Sequence, residues 1–195
     1  MPLVDPKPEA ATPELDELYK FFNKTLGFAP NSVMTMQRKP GLAEAFVNMN
    51  KAAMAGPIPS DFKRLLAVIS SQAAGCRYCQ AHTVLGAKNF GADDERLREI
   101  WTYKTSDKFT DREKAALDFA LAASSVPNAV DSEIAQELKA HWTDDEIVEL
   151  LGVIALFGFL NRWNDTMATS LEGPAKDIAS EMLGAVWEVG KHGGS

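Results

Sequence analysis

The sequence predicts an all-α fold, and three observations carry that prediction. From Thr12 onward nearly every periodic apolar segment has helical spacing. Thr110-Asp-Arg-Glu113 and Thr143-Asp-Asp-Glu146 are capping boxes, the signature of a helix start. No stretch alternates apolar and polar residues as a half-buried strand does, and β-branched residues do not cluster. With 195 residues, 46% of them hydrophobic and 24% charged, the chain is sized for one domain around one core. The expected organisation is a flexible arm over residues 1–11, an all-helical domain over 12–190 and a flexible tail over 191–195.

Thr12-Pro-Glu-Leu opens a first helix, with a capping residue before proline, and Gly27 stops it. A second helix runs from about Pro40 to Ala55 and meets the breaker Gly56-Pro-Ile-Pro59. Phe62, Leu65, Leu66, Ile69 and Ala73 lie on one helical face of a third. A fourth covers Cys79 to Asn89, and a shorter one runs from about Asp93 to Trp101, its acidic Asp93-Asp-Glu95 suiting a helix N-terminus. The capping box at Thr110 begins a helix that ends before Pro127, and Asp131 to Ala140 is short and amphipathic. The box at Thr143 opens the most apolar helix, whose Ile147, Val148, Leu150, Leu151, Val153, Ile154, Leu156, Phe157, Phe159 and Leu160 leave almost no polar face. Such a helix needs enclosure, by its own domain or by a partner subunit, which argues for a homo-oligomer. A last helix spans about Pro174 to Val189.

A formal net charge of −7 without a basic run argues against nucleic acid and anionic membranes as partners. The uncharged apolar run from Leu150 to Leu160 is too short to cross a bilayer. The proline-broken, charged N-terminus does not read as a signal peptide, so a cytoplasmic location is expected.

The chemistry concentrates in Cys76-Arg-Tyr-Cys79-Gln-Ala-His82, which holds both cysteines and one of three histidines. Placed after Gly75 and near a helix N-terminus, these thiols meet unpaired N–H groups and a dipole that favour thiolate. The effect is large: a thiol of pKa ~8.5 is about 3% ionised at pH 7, one of pKa ~6.5 roughly 75%. Two thiols at this spacing can close a disulfide ring, and the imidazole of His82 can move the protons. The alternatives are two buried small residues, or part of a metal site. Zinc wants about four ligands, and only His141 or His192 remains to complete Cys76, Cys79 and His82, so no metal is expected. Tyr78 reads as packing, or as a hydroxyl lent to the substrate. His141, His192 and the cluster Asn161-Arg-Trp-Asn-Asp165 read as structural or solvated. A faint duplication aligns Leu65-Leu-Ala-Val-Ile69 and Cys76-Arg-Tyr-Cys79 with Leu150-Leu-Gly-Val-Ile154 and Asn161-Arg-Trp-Asn164, at an offset of 85. It sets the cysteines opposite asparagines in two units about a pseudo-twofold axis.

Three segments resemble the alkyl hydroperoxidase D (AhpD) family within the carboxymuconolactone decarboxylase-like group: Ala73-Ala-Gly-Cys-Arg-Tyr-Cys-Gln-Ala-His-Thr83, Phe109-Thr-Asp-Arg-Glu-Lys-Ala-Ala-Leu117, and Thr143-Asp-Asp-Glu-Ile-Val-Glu-Leu150 running into Asn161-Arg-Trp-Asn164. The resemblance covers about residues 60–170. It implies a helical fold, often trimeric or hexameric, and a CxxC pair that reduces hydroperoxides or passes electrons to a peroxidase. Cys79 would attack and Cys76 resolve. No bound cofactor is expected; an external dithiol, a lipoyl group or a lipoylated protein, would re-reduce the pair. The family histidine more commonly lies four residues after the second cysteine, and His82 lies three after, still on the same helical face. The family's relay glutamate would fall within Asp61-Phe-Lys-Arg64, where no glutamate stands, which leaves Glu44, Asp61, Glu113 and Glu149 as candidates. The leading reading is a peroxide-reducing thiol oxidoreductase. Beside it stand a disulfide carrier serving a partner protein and a helical oligomeric binding protein (dimer, trimer or hexamer) with non-catalytic cysteines.

Overall fold

In the computed structural model, which describes residues 1–8 and 15–193, ten α-helices and short 3-10 turns account for the regular structure, and no strand is present among them. At the centre, α4 (Ser60–Ala73) packs along α5 (Arg77–Asn89) and is flanked by α7 (Asp111–Ala123) and α9 (Asp144–Met167). Leu65, Leu66 and Ile69 of α4, Leu117 of α7, and Leu150 and Leu156 of α9 are sealed from solvent. Each such side chain contributes about 1.5–3 kcal/mol by burial. Around this core lie α1 (Asp16–Leu26), α2 (Asn31–Met36), α3 (Pro40–Met54), α6 (Asp94–Glu99), α8 (Ser132–His141) and α10 (Gly173–Leu183). Packing α10 onto α5, and α3 onto α9, brings distant sequence to the cysteines.

Both capping boxes form. The hydroxyl of Thr110 accepts from the N–H of Glu113, whose carboxylate accepts in return, and Thr143 and Glu146 repeat the exchange. Asp93 caps α6 by accepting from the N–H groups of Glu95 and Arg96. The breaker after α3 is held by a buried ion pair: Lys63 Nζ lies 2.6 Å from Glu149 Oε1 and donates to the carbonyls of Ala53 and Ala55. Glu149 also accepts from the N–H of Ile58.

Several expectations change. α2 has no counterpart in the sequence reading, because Asn31-Ser-Val-Met-Thr-Met36 is too short to show a period. α9 continues past its apolar run to Met167, so the asparagine cluster lies on the helix. It is not enclosed on all sides, since Val148 and Leu151 remain 71% and 45% exposed. The last helix stops at Leu183, and 3-10 turns continue to His192. The proposed helix start at Thr12, residues 9–11 of the arm and residues 194–195 of the tail lie outside the described residues. Within the arm, Leu3 N–H bonds Met167 O and Lys7 N–H bonds Met34 O. Near the other end His192 is buried, its Nδ1 2.8 Å from Thr169 O. Among the described residues no helix is long and apolar enough to cross a membrane.

Candidate active site

The site begins with a backbone event. Gly75 takes φ +71°, a conformation that costs an L-residue about 1 kcal/mol or more, and ends α4. Cys76 then turns extended and becomes the N-cap of α5, its Sγ accepting from the N–H of Cys79 at 3.3 Å. The sulfur stands where serine or aspartate usually caps. CxxC spacing is therefore N-cap-to-N3 spacing, and it sets both sulfurs over one helical turn. Both cysteines are unbridged and buried.

The duplication illuminates this geometry. At an offset of 85, Gly75 corresponds to Leu160. Leucine does not readily take positive φ, so α9 continues where α4 breaks. Cys79 corresponds to Asn164, and the two meet: Asn164 Nδ2 lies 3.5 Å from Cys79 Sγ. Asn164, expected to be structural, is thus a site residue, while Asn161 donates to Ser70 O of α4.

His82 lies one turn beyond Cys79 on the same face of α5, and both line a cavity of about 80 Å³ with Tyr78, Asn164, Arg64 and apolar side chains of α1, α3 and α9. The imidazole is clamped. Tyr78 stacks on it at 4.3 Å between ring centroids, Phe28 packs edge-on, and Nε2 lies 2.7 Å from Glu172 Oε2. Glu172 Oε1 accepts from Tyr78 OH at 3.0 Å and from the N–H of Asn31 at 2.5 Å. Tyr78 therefore both packs and donates, though to the carboxylate.

The carboxylate bonded to His82 is Glu172, and none of the four relay candidates read from the sequence. Glu44 is exposed on α3. Asp61 lies 3.8 Å from Arg96, Glu113 caps α7 and pairs with Arg96 at 2.6 Å, and Glu149 is held by Lys63. None of these carboxylates is the partner of His82. Glu172 stands 90 residues beyond it in the chain, at the N-cap of α10. A lone glutamate before Gly173-Pro174 carries no pattern beyond a helix start, the only signal that pointed to it.

Electrostatics define the resting state. Burial pushes the Glu172 carboxyl up, but His82 and the hydrogen bond from Asn31 outweigh it and hold the group below its ordinary value. Burial, and then the neighbouring Glu172 charge, keep the Tyr78 phenol protonated. The Cys79 thiol is raised well above its ordinary value by burial and by Cys76, against the donation from Asn164. The expected thiolate is therefore not the resting form: loss of water around Sγ outweighs the helix N-terminus. Ionising Cys79 needs a base, and His82 is adjacent on the face. His141 bonds Glu137 of its own helix, and no group of three or more His, Cys, Asp or Glu among the described residues is arranged to hold a metal.

Residues 40–122 match the carboxymuconolactone decarboxylase family. The debrominase Bmp8 in its apo form is 35% identical, with a TM-score of 0.87 over 92% of this chain and 97% of Bmp8. A Cys-to-Ala variant of that debrominase in complex with 2,3,4-tribromopyrrole superposes equally well, with a TM-score of 0.88 at 34% identity over the same shares. An alkylhydroperoxidase AhpD core, an uncharacterized peroxidase-related protein from Ralstonia eutropha JMP134, shares the fold at 24% identity (TM-score 0.76, 87% of this chain, 92% of that one). The uncharacterized protein YnjA of Escherichia coli (strain K12) is 26% identical over 117 residues, 60% of this chain, and the match spans 64% of YnjA. With 35% identity over nearly the whole of both chains, and with residues 40–122 matching the carboxymuconolactone decarboxylase family, the chain belongs to the same family as the debrominase Bmp8 and shares its helical fold with the AhpD core.

Proposed function

We propose that this chain is a dithiol oxidoreductase that reduces organic hydroperoxides with electrons from Cys76 and Cys79. The observation that carries the reading is the unbridged cysteine pair on the first turn of α5, with Cys79 lining a cavity beside a histidine bonded to a buried carboxylate. Because Nε2 of His82 is committed to Glu172, proton exchange runs through Nδ1. His82 takes the Cys79 proton, and the thiolate attacks the terminal peroxide oxygen. The S–O bond forms as the O–O bond breaks, giving Cys79 sulfenic acid and an alkoxide that recovers the proton from His82. Cys76 then attacks the sulfenic sulfur, expelling water and closing the disulfide. An external dithiol, a lipoyl group or lipoylated protein among the candidates, exchanges with that disulfide, is itself oxidised, and restores both thiols.

The likeness to Bmp8 supports a second substrate for the same electrons. Attack of the thiolate on bromine of a brominated ring gives a sulfenyl bromide and a carbanion. The ring is protonated, and Cys76 displaces bromide to close the disulfide. One assay separates the readings: pre-reduced protein is mixed with one equivalent of an alkyl hydroperoxide or of 2,3,4-tribromopyrrole, and thiols, peroxide and bromide are counted. Loss of two thiols per peroxide, abolished in Cys79→Ser, supports the peroxidase. One bromide per disulfide with peroxide untouched supports the debrominase. Intact thiols with both, but rapid reduction of a disulfide substrate, would replace these readings with a disulfide carrier; no reaction with any of them would favour a binding protein.

A further inference from the structure

We propose that Arg64 makes the cavity selective for substrates bearing a carboxylate or similar anionic group close to the reacting atom. The inference deepens the peroxide-reducing function and rests on it for the reaction, though not for the binding. Arg64 lies on α4, where its guanidinium covers Gly86 of α5, its Nη1 3.5 Å from where a Cβ would stand. It lines the same cavity as Cys79 and His82, and no carboxylate is among the lining residues. It makes no ion pair among the described residues, and its Nε is buried without a hydrogen-bond partner. The 4.3 Å stack on Phe90 satisfies one face of the guanidinium but not its N–H edges. The buried Lys63 has Glu149, and Arg96, half-buried like Arg64, has Glu113.

Arg64 is half-buried, and a partly desolvated cation without a counterion is disfavoured until a partner charge meets it. Desolvation lowers the Arg64 guanidinium to about 10, which still leaves it protonated at neutral pH. The planar fork suits a carboxylate. Because the cavity is only about 80 Å³, the anion and the reacting atom must be close neighbours in one small molecule. In this arrangement the apolar wall takes the carbon skeleton, Arg64 the charge and Cys79 the electrophilic atom.

Two measurements on the full-length reduced protein test this. First, kcat/KM is compared for a short hydroperoxy carboxylic acid and its methyl ester. We expect the acid to be preferred by about tenfold or more, the discrimination typical of a site with a dedicated charged partner. The ratio should fall toward one in Arg64→Met and recover in part in Arg64→Lys. A wild-type ratio near one, or a preference that survives in Arg64→Met, overturns the proposal. Second, propionate and propionamide are titrated while Cys79 is alkylated with iodoacetamide. Protection by propionate alone is expected, and equal or absent protection overturns the proposal. This arm needs no turnover, so if neither hydroperoxide is reduced the proposed function fails while propionate still decides the role of Arg64. Should Arg64→Met not fold, the wild-type ratios and Arg64→Lys carry both tests.

Discussion

At the scale of single residues, Glu172 is the side chain that holds the imidazole of His82, at 2.7 Å, one turn beyond Cys79. Glu172→Gln keeps the shape but removes the charge that orients and supports His82. General acid–base groups are worth about 10²–10⁴ in rate, so we expect a loss of thiol oxidation of at least roughly tenfold, measured by single-turnover thiol counting. The same carboxyl makes a stability prediction. Its folded value is depressed, so its stabilisation is full above the ordinary carboxylate value of 4.5 and is lost as pH falls through the lower folded value. Thermal melts between neutral pH and about pH 3 should therefore show a shallower acid limb in Glu172→Gln than in wild type. Cys79 behaves in the opposite sense. With its thiol raised, alkylation of the reduced protein by iodoacetamide should climb through the alkaline range rather than level off near neutrality. A plateau near pH 7 would show that the thiolate is the resting form. The cysteines and His82 were legible because their spacing is local. Glu172 and Arg64 were not: each is an ordinary charged residue until packing brings it to the cavity.

At the scale of elements, the sequence spelled out helix starts better than helix ends. Thr110 and Thr143 form the boxes their spacing announces because the interaction spans only three residues. Thr143→Ala should destabilise the protein by about 1 kcal/mol, read by urea denaturation. The loss should exceed that of an exposed control such as Ser180→Ala on α10, whose hydroxyl merely bonds back to Lys176 O. A helix end is set instead by whether a residue near it can leave helical φ. α9 passes through Asn161 and Asn164 because nothing there takes positive φ until Ala168, at +49°. α4 stops because Gly75 does. Gly75→Ala should therefore act twice. It should cost about 1 kcal/mol or more of stability, and it should slow disulfide formation by disturbing the turn that makes Cys76 a cap. A variant with wild-type oxidation kinetics would show that this turn does not set the sulfur geometry.

At the scale of the whole molecule, helical class was readable from the spacing of apolar residues and from the two capping boxes, whereas the apolar excess of α9 was only half absorbed. Its inner face, Leu150, Val153, Ile154, Leu156 and Phe157, is buried in the core. On its outer face Leu151, Ala155 and Gly158 form, with Val126 of the α7–α8 connection, a surface groove of about 510 Å³. Val126 is 84% exposed and Leu151 45%. Leaving large aliphatic side chains in water on one continuous strip forgoes about 25 cal/mol for each Å² that a partner would cover. The same strip ends at the exposed Arg162 and at Asp165, which Lys191 already pairs within the chain at 2.9 Å, so the apolar strip itself is what a symmetric copy would cover. Self-association through α9 is therefore the expected solution state. Light scattering coupled to size exclusion should report a multiple of 21.3 kDa, and Leu151→Glu should return the chain to one protomer with its helical circular dichroism intact. Because Leu151 lies outside the cavity that holds Cys79, thiol oxidation by hydroperoxide in that variant separates two roles for the interface. Unchanged rates would make assembly a matter of stability alone, and a parallel loss would mean that the neighbouring protomer supports the asparagine end of α9 from which Asn164 reaches the reactive sulfur.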